Sequence, residues 1–299
     1  MTISIEMFGE NNYNLKNILI LDSEGMSGHL IRDYLKSLNK YKIISIPFLH
    51  KSKNFQSTIN DWSKTRIESL ISENKPDIII NCLRILIDES EQSYDYAKHF
   101  NSSIPKIIES YIQNRKIKLI QLSTDCVFSG EKGKYDEFDA KDGISNYAKT
   151  KSSGEVINDK DLTIRTSYIG PNINGRDEEL FHWFLMQSGE LEGYANVFWS
   201  GITTLELAKS IEKFISLDIS GIYHLTSSKS ISKYDLLKLI KDIWRKDNII
   251  INKNESIISD KSLIDNRGEI KTRNYDLMFN QLKEWMSEKK DLYEIYNLK

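Results

Sequence analysis

Ile18-Leu19-Ile20-Leu21-Asp22-Ser23-Glu24-Gly25-Met26-Ser27-Gly28 is the stretch that decides the fold. A run of branched apolar residues this continuous has no wet face, so it reads as a strand buried on both sides, as strands of parallel sheets are. The residues that follow, 25–38, carry the apolar spacing of a helix packed on that strand. A strand that turns through glycines into a helix can bring a diphosphate close to the helix N-terminus, because no side chain stands in the way. Of the three glycines in a G-x-x-G-x-x-G turn, the second and third are present as Gly25 and Gly28. The first is Asp22.

Outward from this turn the same alternation repeats. Strands are expected at 42–46, 78–82, 119–122 and 162–166, and helices at 61–73, 103–115 and 146–156. Short apolar strands alternating with amphipathic helices build a parallel sheet covered on both faces, and right-handed crossovers make it a doubly wound, Rossmann-like α/β fold. After Gly170-Pro171 the rhythm loosens. Helices are expected at 181–186, 205–214, 233–244 and 275–286, and strands at 196–199 and 222–225, which reads as a smaller C-terminal α/β substrate lobe. The division is a polar leader at 1–15, a dinucleotide-binding domain at 16–166 and a lobe at 167–299, some segments of which return to the first domain.

Composition narrows the partners. Among 299 residues, 41 Lys and Arg nearly balance 43 Asp and Glu, so no positive excess points to nucleic acid. Cys82 and Cys126 make no disulfide framework and suit a reducing compartment. No signal peptide and no apolar run of the roughly 18 to 20 residues a membrane helix needs is visible, so a soluble cytoplasmic protein is expected. The five histidines are scattered without metal-ligand spacing.

The chemistry lies in Ser123-Thr124-Asp125 and in Tyr147-Ala148-Lys149-Thr150-Lys151. Tyr147 and Lys151 share one face of a helix, where the ammonium is expected to stabilise the phenolate and bring a phenol of pKa about 10 closer to working pH. A hydroxyl, a phenol and an ammonium are what a carbonyl reductase needs to move a proton while a nicotinamide moves a hydride. The turn at Asp22 opposes this. Two unit charges about 5 Å apart repel by roughly 3 kcal/mol at an effective dielectric of 20, so Asp22 and Glu24 near a diphosphate would weaken binding unless both point to water. The end of the second strand has no acid and carries Lys51 and Lys53, which mildly favours NADPH over NADH.

The segments 122–130, 133–137, 147–155, 164–170, 201–208 and 221–225 jointly resemble the dTDP-4-dehydrorhamnose reductase branch of the extended short-chain dehydrogenases/reductases. The resemblance implies NAD(P)H-dependent reduction of the 4-keto group of a nucleotide-activated deoxysugar, for surface polysaccharide precursor synthesis. It implies Tyr147 as the proton donor, Lys151 as the holder of the nicotinamide ribose and Thr124 as the donor to the reacting carbonyl. Gly25, Met26, Gly28, Asn81, Ser123 and Lys151 would hold the cofactor, and Thr124, Asp125, Cys126 and Tyr168 the sugar. Asn101 would shape the floor of the site, and a homodimer is left open. Departures are Cys126 in place of an aromatic hydroxyl, Tyr168 in place of Trp, and Leu83-Arg84 in place of small residues. The alternatives are a non-catalytic relative that lost cofactor affinity through Asp22 and Glu24, and an epimerase or dehydratase, which would need a better diphosphate turn.

Overall fold

The computed structural model describes residues 15–48, 55–173 and 179–296. β1 (Lys16–Leu21) turns into α1 (Met26–Ser37), followed by β2 (Tyr41–Ile46), α2 (Phe55–Asp61), α3 (Lys64–Asn74) and β3 (Ile78–Asn81). The short helices α4 (Ile87–Gln92) and α5 (Tyr94–Lys98) and a π-helical turn at His99–Ser103 run into α6 (Ile104–Ile112), then β4 (Lys118–Leu122), α7 (Asn146–Ser153) and β5 (Leu162–Arg165). The chain continues through β6 (Tyr168–Ile169), α8 (Leu180–Met186), β7 (Gly189–Tyr194), β8 (Val197–Trp199), β9 (Ile202–Thr203), α9 (Thr204–Ser216) and β10 (Gly221–His224). It ends with β11 (Ile231–Ser232), α10 (Lys233–Trp244), β12 (Ile249–Asn254), β13 (Ser259–Asp260) and α11 (Tyr275–Glu288).

Six strands make one parallel sheet in the order β10-β5-β4-β3-β1-β2, the doubly wound arrangement expected from the alternation. Period-two alternation along β1 feeds both faces. Ile18 and Ile20 join a core with Leu30, Ile31 and Leu35 of α1 and Leu207, Ala208 and Ile211 of α9. Leu19 and Leu21 join the other core with Ile67 and Ile71 of α3 and Ile104 and Ile108 of α6. From β1 the chain goes to β2 on one side and then crosses to β3 on the other. Ligands in such sheets bind in the crevice that this reversal opens at the carboxyl ends of the strands.

β10 lies beside β5 with Gly221 opposite Leu162 and His224 opposite Arg165, so the C-terminal half supplies the sheet's last strand. The expected helix at 61–73 is α3, which starts three residues later, where the Ser63 hydroxyl accepts from the Arg66 amide at 3.4 Å, and α2, which stops at Asp61, was not expected. A serine that caps a new helix outcompetes continuation of the old one. The parallel pair of β7 and β12 was not anticipated, because Gly-Glu-Leu-Glu-Gly-Tyr has two glycines and two charges in place of a strand's apolar face. The expected leader, apart from Leu15, and the lysines at 51 and 53 lie outside the described residues.

α7 rests on the π-helical turn at one glycine. A Cβ on Gly154 would lie 1.8 Å from the Asn101 carbonyl oxygen, so the backbones touch where any side chain would push them apart. Gly154→Ala is expected to destabilise the protein by about 1–3 kcal/mol, read as a shift of the urea midpoint.

Candidate active site

The turns after β3, β4 and β5 and one face of α7 enclose a cavity of about 300 Å³, its wall including Arg84, Thr124, Cys126, Tyr147, Lys151 and Tyr168. α7 starts where the Ser145 hydroxyl accepts from the Ala148 amide at 3.1 Å, and this start points Tyr147 and Lys151 to the cavity. The Lys151 ammonium donates to the Leu122 carbonyl at 2.7 Å and so fastens α7 to the end of β4. From the π-helical turn, Asn101 accepts from the Ile85 amide at 2.9 Å and donates to the Thr150 hydroxyl at 3.1 Å, joining the loop after β3 to α7. π-helical turns recur at functional sites because they re-aim one residue; here that residue is Asn101. Thr124 accepts from the Cys126 amide at 3.1 Å and donates to the Asp125 carboxylate at 3.2 Å.

The electrostatics reverse one expectation. Burial drives the Tyr147 phenol well above its ordinary value, Cys126 adds to the rise, and Arg84 and Thr124 only partly oppose it. Burial and then the Arg84 charge lower Lys151 to about 8, against the upward pull of Glu155 and Cys82. The phenol is therefore not brought toward neutrality as expected, because desolvation of a buried phenolate outweighs the Arg84 charge. The arrangement holds a firmly protonated acid beside an ammonium that titrates near pH 8. Asp125 is likewise raised by burial, despite Lys261 and Lys233, and burial and Asp125 push the Cys126 thiol up to about 11.

The first turn is corrected in part. Asp22 takes the left-handed conformation at φ 60°, replacing the missing glycine in its backbone role. Only one of the two acids points to water: Asp22 is buried and Glu24 is exposed. A Cβ on Gly25 would meet an Asp22 carboxylate oxygen at 2.2 Å, so the carboxylate lies over the glycine. The Gly25 carbonyl accepts from the His29 amide at 3.0 Å, and the His29 ring lies between Gly25 and the Tyr293 hydroxyl at 2.9 and 3.0 Å. The start of α1 has no side-chain cap from Gly25.

Behind the cavity lies a buried ion pair. Arg165 donates to both Glu155 carboxylate oxygens at 2.7 and 2.9 Å, with side-chain exposures of 3% and 1%. Ser123 donates to the same carboxylate at 2.8 Å and Lys141 at 2.9 Å. Burial alone would raise the Glu155 carboxyl, but Arg165 and Lys141 outweigh it and hold it below the usual range.

The structure gathers Thr124, Asp125, Cys126, Tyr147, Lys151 and Tyr168 in one cavity, with Ser123 in its wall but its hydroxyl engaged by Glu155. Gly25, Met26 and Gly28 stand at the neighbouring turn, joined to the cavity where the Tyr168 hydroxyl donates to Ser27 at 3.3 Å. Asn81 is not in the wall: its amide donates to Gln121 at 2.8 Å and its oxygen accepts from the Leu83 amide at 3.2 Å. Thr166, Ser167 and Asp88 line the cavity and were missed; position at the carboxyl end of β5 was the available signal for the first two. Lys233, whose charge acts on Asp125, was missed too, because before folding it is one more lysine at a helix start. Among the described residues no group of three or more His, Cys, Asp or Glu is arranged to hold a metal, and no helix is long and apolar enough to cross a membrane.

The family profile described as RmlD substrate binding domain matches residues 16–265. The chain belongs to that family. Within it, the chain is 24% identical over 232 residues to dTDP-4-keto-6-deoxy-D-glucose reductase of Streptomyces niveus, covering 74% of this chain and 76% of the relative. It is 28% identical over 186 residues to dTDP-4-dehydrorhamnose reductase of Escherichia coli, covering 58% of this chain and 61% of the relative. A crystal structure of dTDP-4-dehydrorhamnose reductase from Bacillus anthracis in complex with NADP superposes with a TM-score of 0.77 at 20% identity, covering 90% of this chain and 98% of that one. In this family member the Glu155–Arg165 pair holds the site from behind. Arg165→Met, which leaves Glu155 charged and buried, is expected to cost about 3–5 kcal/mol of stability by urea unfolding.

Proposed function

We propose that the protein is an oxidoreductase that uses a nicotinamide dinucleotide to reduce the 4-keto group of a nucleotide-activated deoxysugar. The observation that carries this reading is the convergence of Thr124, Tyr147 and Lys151 on one cavity at the carboxyl edge of a doubly wound sheet. Membership of the family and the activities named for its relatives support the substrate class, and the NADP-bound neighbour supports the cofactor class. The residues present fit such a cofactor: Gly25 just before α1, Gly28 in its first turn, and an ammonium in the cavity. The form with the 2'-phosphate is the one we favour, on Lys51 and Lys53 of the sequence.

When bound, the nicotinamide supplies a hydride to the carbonyl carbon. Tyr147 then gives its proton to the oxygen on which negative charge develops, and its raised pKa keeps that proton in place until the charge appears. Thr124 orients the carbonyl oxygen by turning toward it the hydroxyl that otherwise donates to Asp125. Lys151 gives one N–H to Leu122, which leaves its other donors for ribose hydroxyls and keeps a positive charge near the reacting oxygen. Asp125, Cys126 and Tyr168 contact the sugar. A binding-only relative would need none of these groups together, and their joint presence disfavours it.

Tyr147→Phe is expected to lower the rate of NADPH oxidation with a 4-keto deoxysugar nucleotide by at least about a hundredfold, measured as loss of the reduced cofactor's absorbance. An unchanged rate would remove the phenol from the mechanism. The pH profile follows from the two shifts. Tyr147 stays protonated throughout, whereas Lys151 loses its charge as pH rises through about 8, so kcat/KM is expected to fall on the alkaline side with a midpoint near that value.

A further inference from the structure

Resting on the reductase reading, we propose that Arg84 is the counter-cation for the diphosphate of the bound dinucleotide, and that Glu179 holds its guanidinium until the diphosphate takes that place. Arg84 is in the wall of the cavity that contains Tyr147 and Lys151. Its guanidinium lies 5.1 Å from the centre of the Tyr168 ring, and the Tyr168 hydroxyl donates to Ser27 in the first turn of α1 at 3.3 Å. The cation therefore stands between the helix start and the catalytic phenol, the two places that the ends of a dinucleotide must connect.

The partner of Arg84 comes from a segment 95 residues later. Glu179, just before α8, forms an ion pair with it, and their side chains are only 16% and 9% exposed. Burial works against the Arg84 charge, but Tyr168, Glu179, Tyr147 and Asp22 together outweigh it. A guanidinium pairs with a carboxylate and with a phosphate oxygen alike, so a diphosphate can take the place of Glu179 on the Arg84 nitrogen that the carboxylate engages. The need for such a cation is set at the first turn. Where a glycine would leave bare backbone, Asp22 places a carboxylate over Gly25, and a dianionic ligand beside it requires positive charge from elsewhere. Arg84 is a bulky cation in a loop whose counterpart in the resembled reductases is built from small residues, which fits compensation for Asp22 in this chain.

The test is NADPH binding measured by isothermal titration calorimetry, with no sugar present. Glu179→Gln removes the competitor, and NADPH is expected to bind it about tenfold more tightly than wild type. Arg84→Met combined with Glu179→Leu removes both charges, so that neither is left buried alone, and is expected to bind NADPH at least about tenfold more weakly than wild type. A double variant that binds as tightly as wild type or more tightly, or a Glu179→Gln variant with unchanged affinity, overturns the proposal and leaves the reductase reading standing. Wild-type protein that binds neither NADPH nor NADH overturns both.

Discussion

Glu155 and Arg165 carry opposite charges where water reaches neither, and the carboxyl edge of the sheet is organised round them. Glu155 follows α7 and Arg165 ends β5, while Ser123 at the end of β4 joins the same carboxylate. Arg165 also donates to the Glu137 carbonyl at 3.2 Å and lies 3.3 Å from a ring nitrogen of His224 in β10. One pair therefore ties α7 to three neighbouring strands and to the 129–143 loop. Removing either partner would strand a charge in the interior, a far larger penalty than the net worth of the pair. The geometry of Tyr147 and Lys151 depends on this anchorage, because α7 is the element that carries both.

The same burial that fixes the site also sets its chemistry. Low polarity raises a phenol and lowers an ammonium: the first shift suits a reduction, because the acid must arrive protonated, and the second confines the Lys151 charge to pH below about 8. The cost falls on the cofactor turn. Asp22 accepts the left-handed backbone that a glycine would take at no strain, but it brings a carboxylate where the ligand is itself anionic. We assign the balancing charge to Arg84, and Tyr168, whose ring lies against its guanidinium, connects the two regions.

Most of the sheet was legible because its strands are short unbroken apolar runs, which only a doubly covered parallel sheet can bury. Ile18–Leu21 and Ile78–Ile80 needed no further information. Residues 189–194 escaped because their glycines and acids leave no apolar face, and 249–254 because its apolar start, Ile249-Ile250-Ile251, gives way at once to Asn-Lys-Asn and shows its partner only in the fold. The Tyr147 and Lys151 pair was legible from its helical spacing, whereas the direction of their pKa shifts was not, since desolvation is a property of the packed cavity. Asn81, given to the cofactor by resemblance alone, donates to Gln121 and accepts from the Leu83 amide. Glu179 is distant from Arg84 in sequence, and only the fold brings them together.

Hydride transfer is tested most directly with NADPH carrying deuterium at the transferable nicotinamide position and a 4-keto deoxysugar nucleotide, with the product analysed by mass spectrometry. If the cavity is a reductase site, the alcohol formed contains one deuterium at the former carbonyl carbon. NADPH that binds but leaves every such sugar nucleotide unreduced and unlabelled would contradict it.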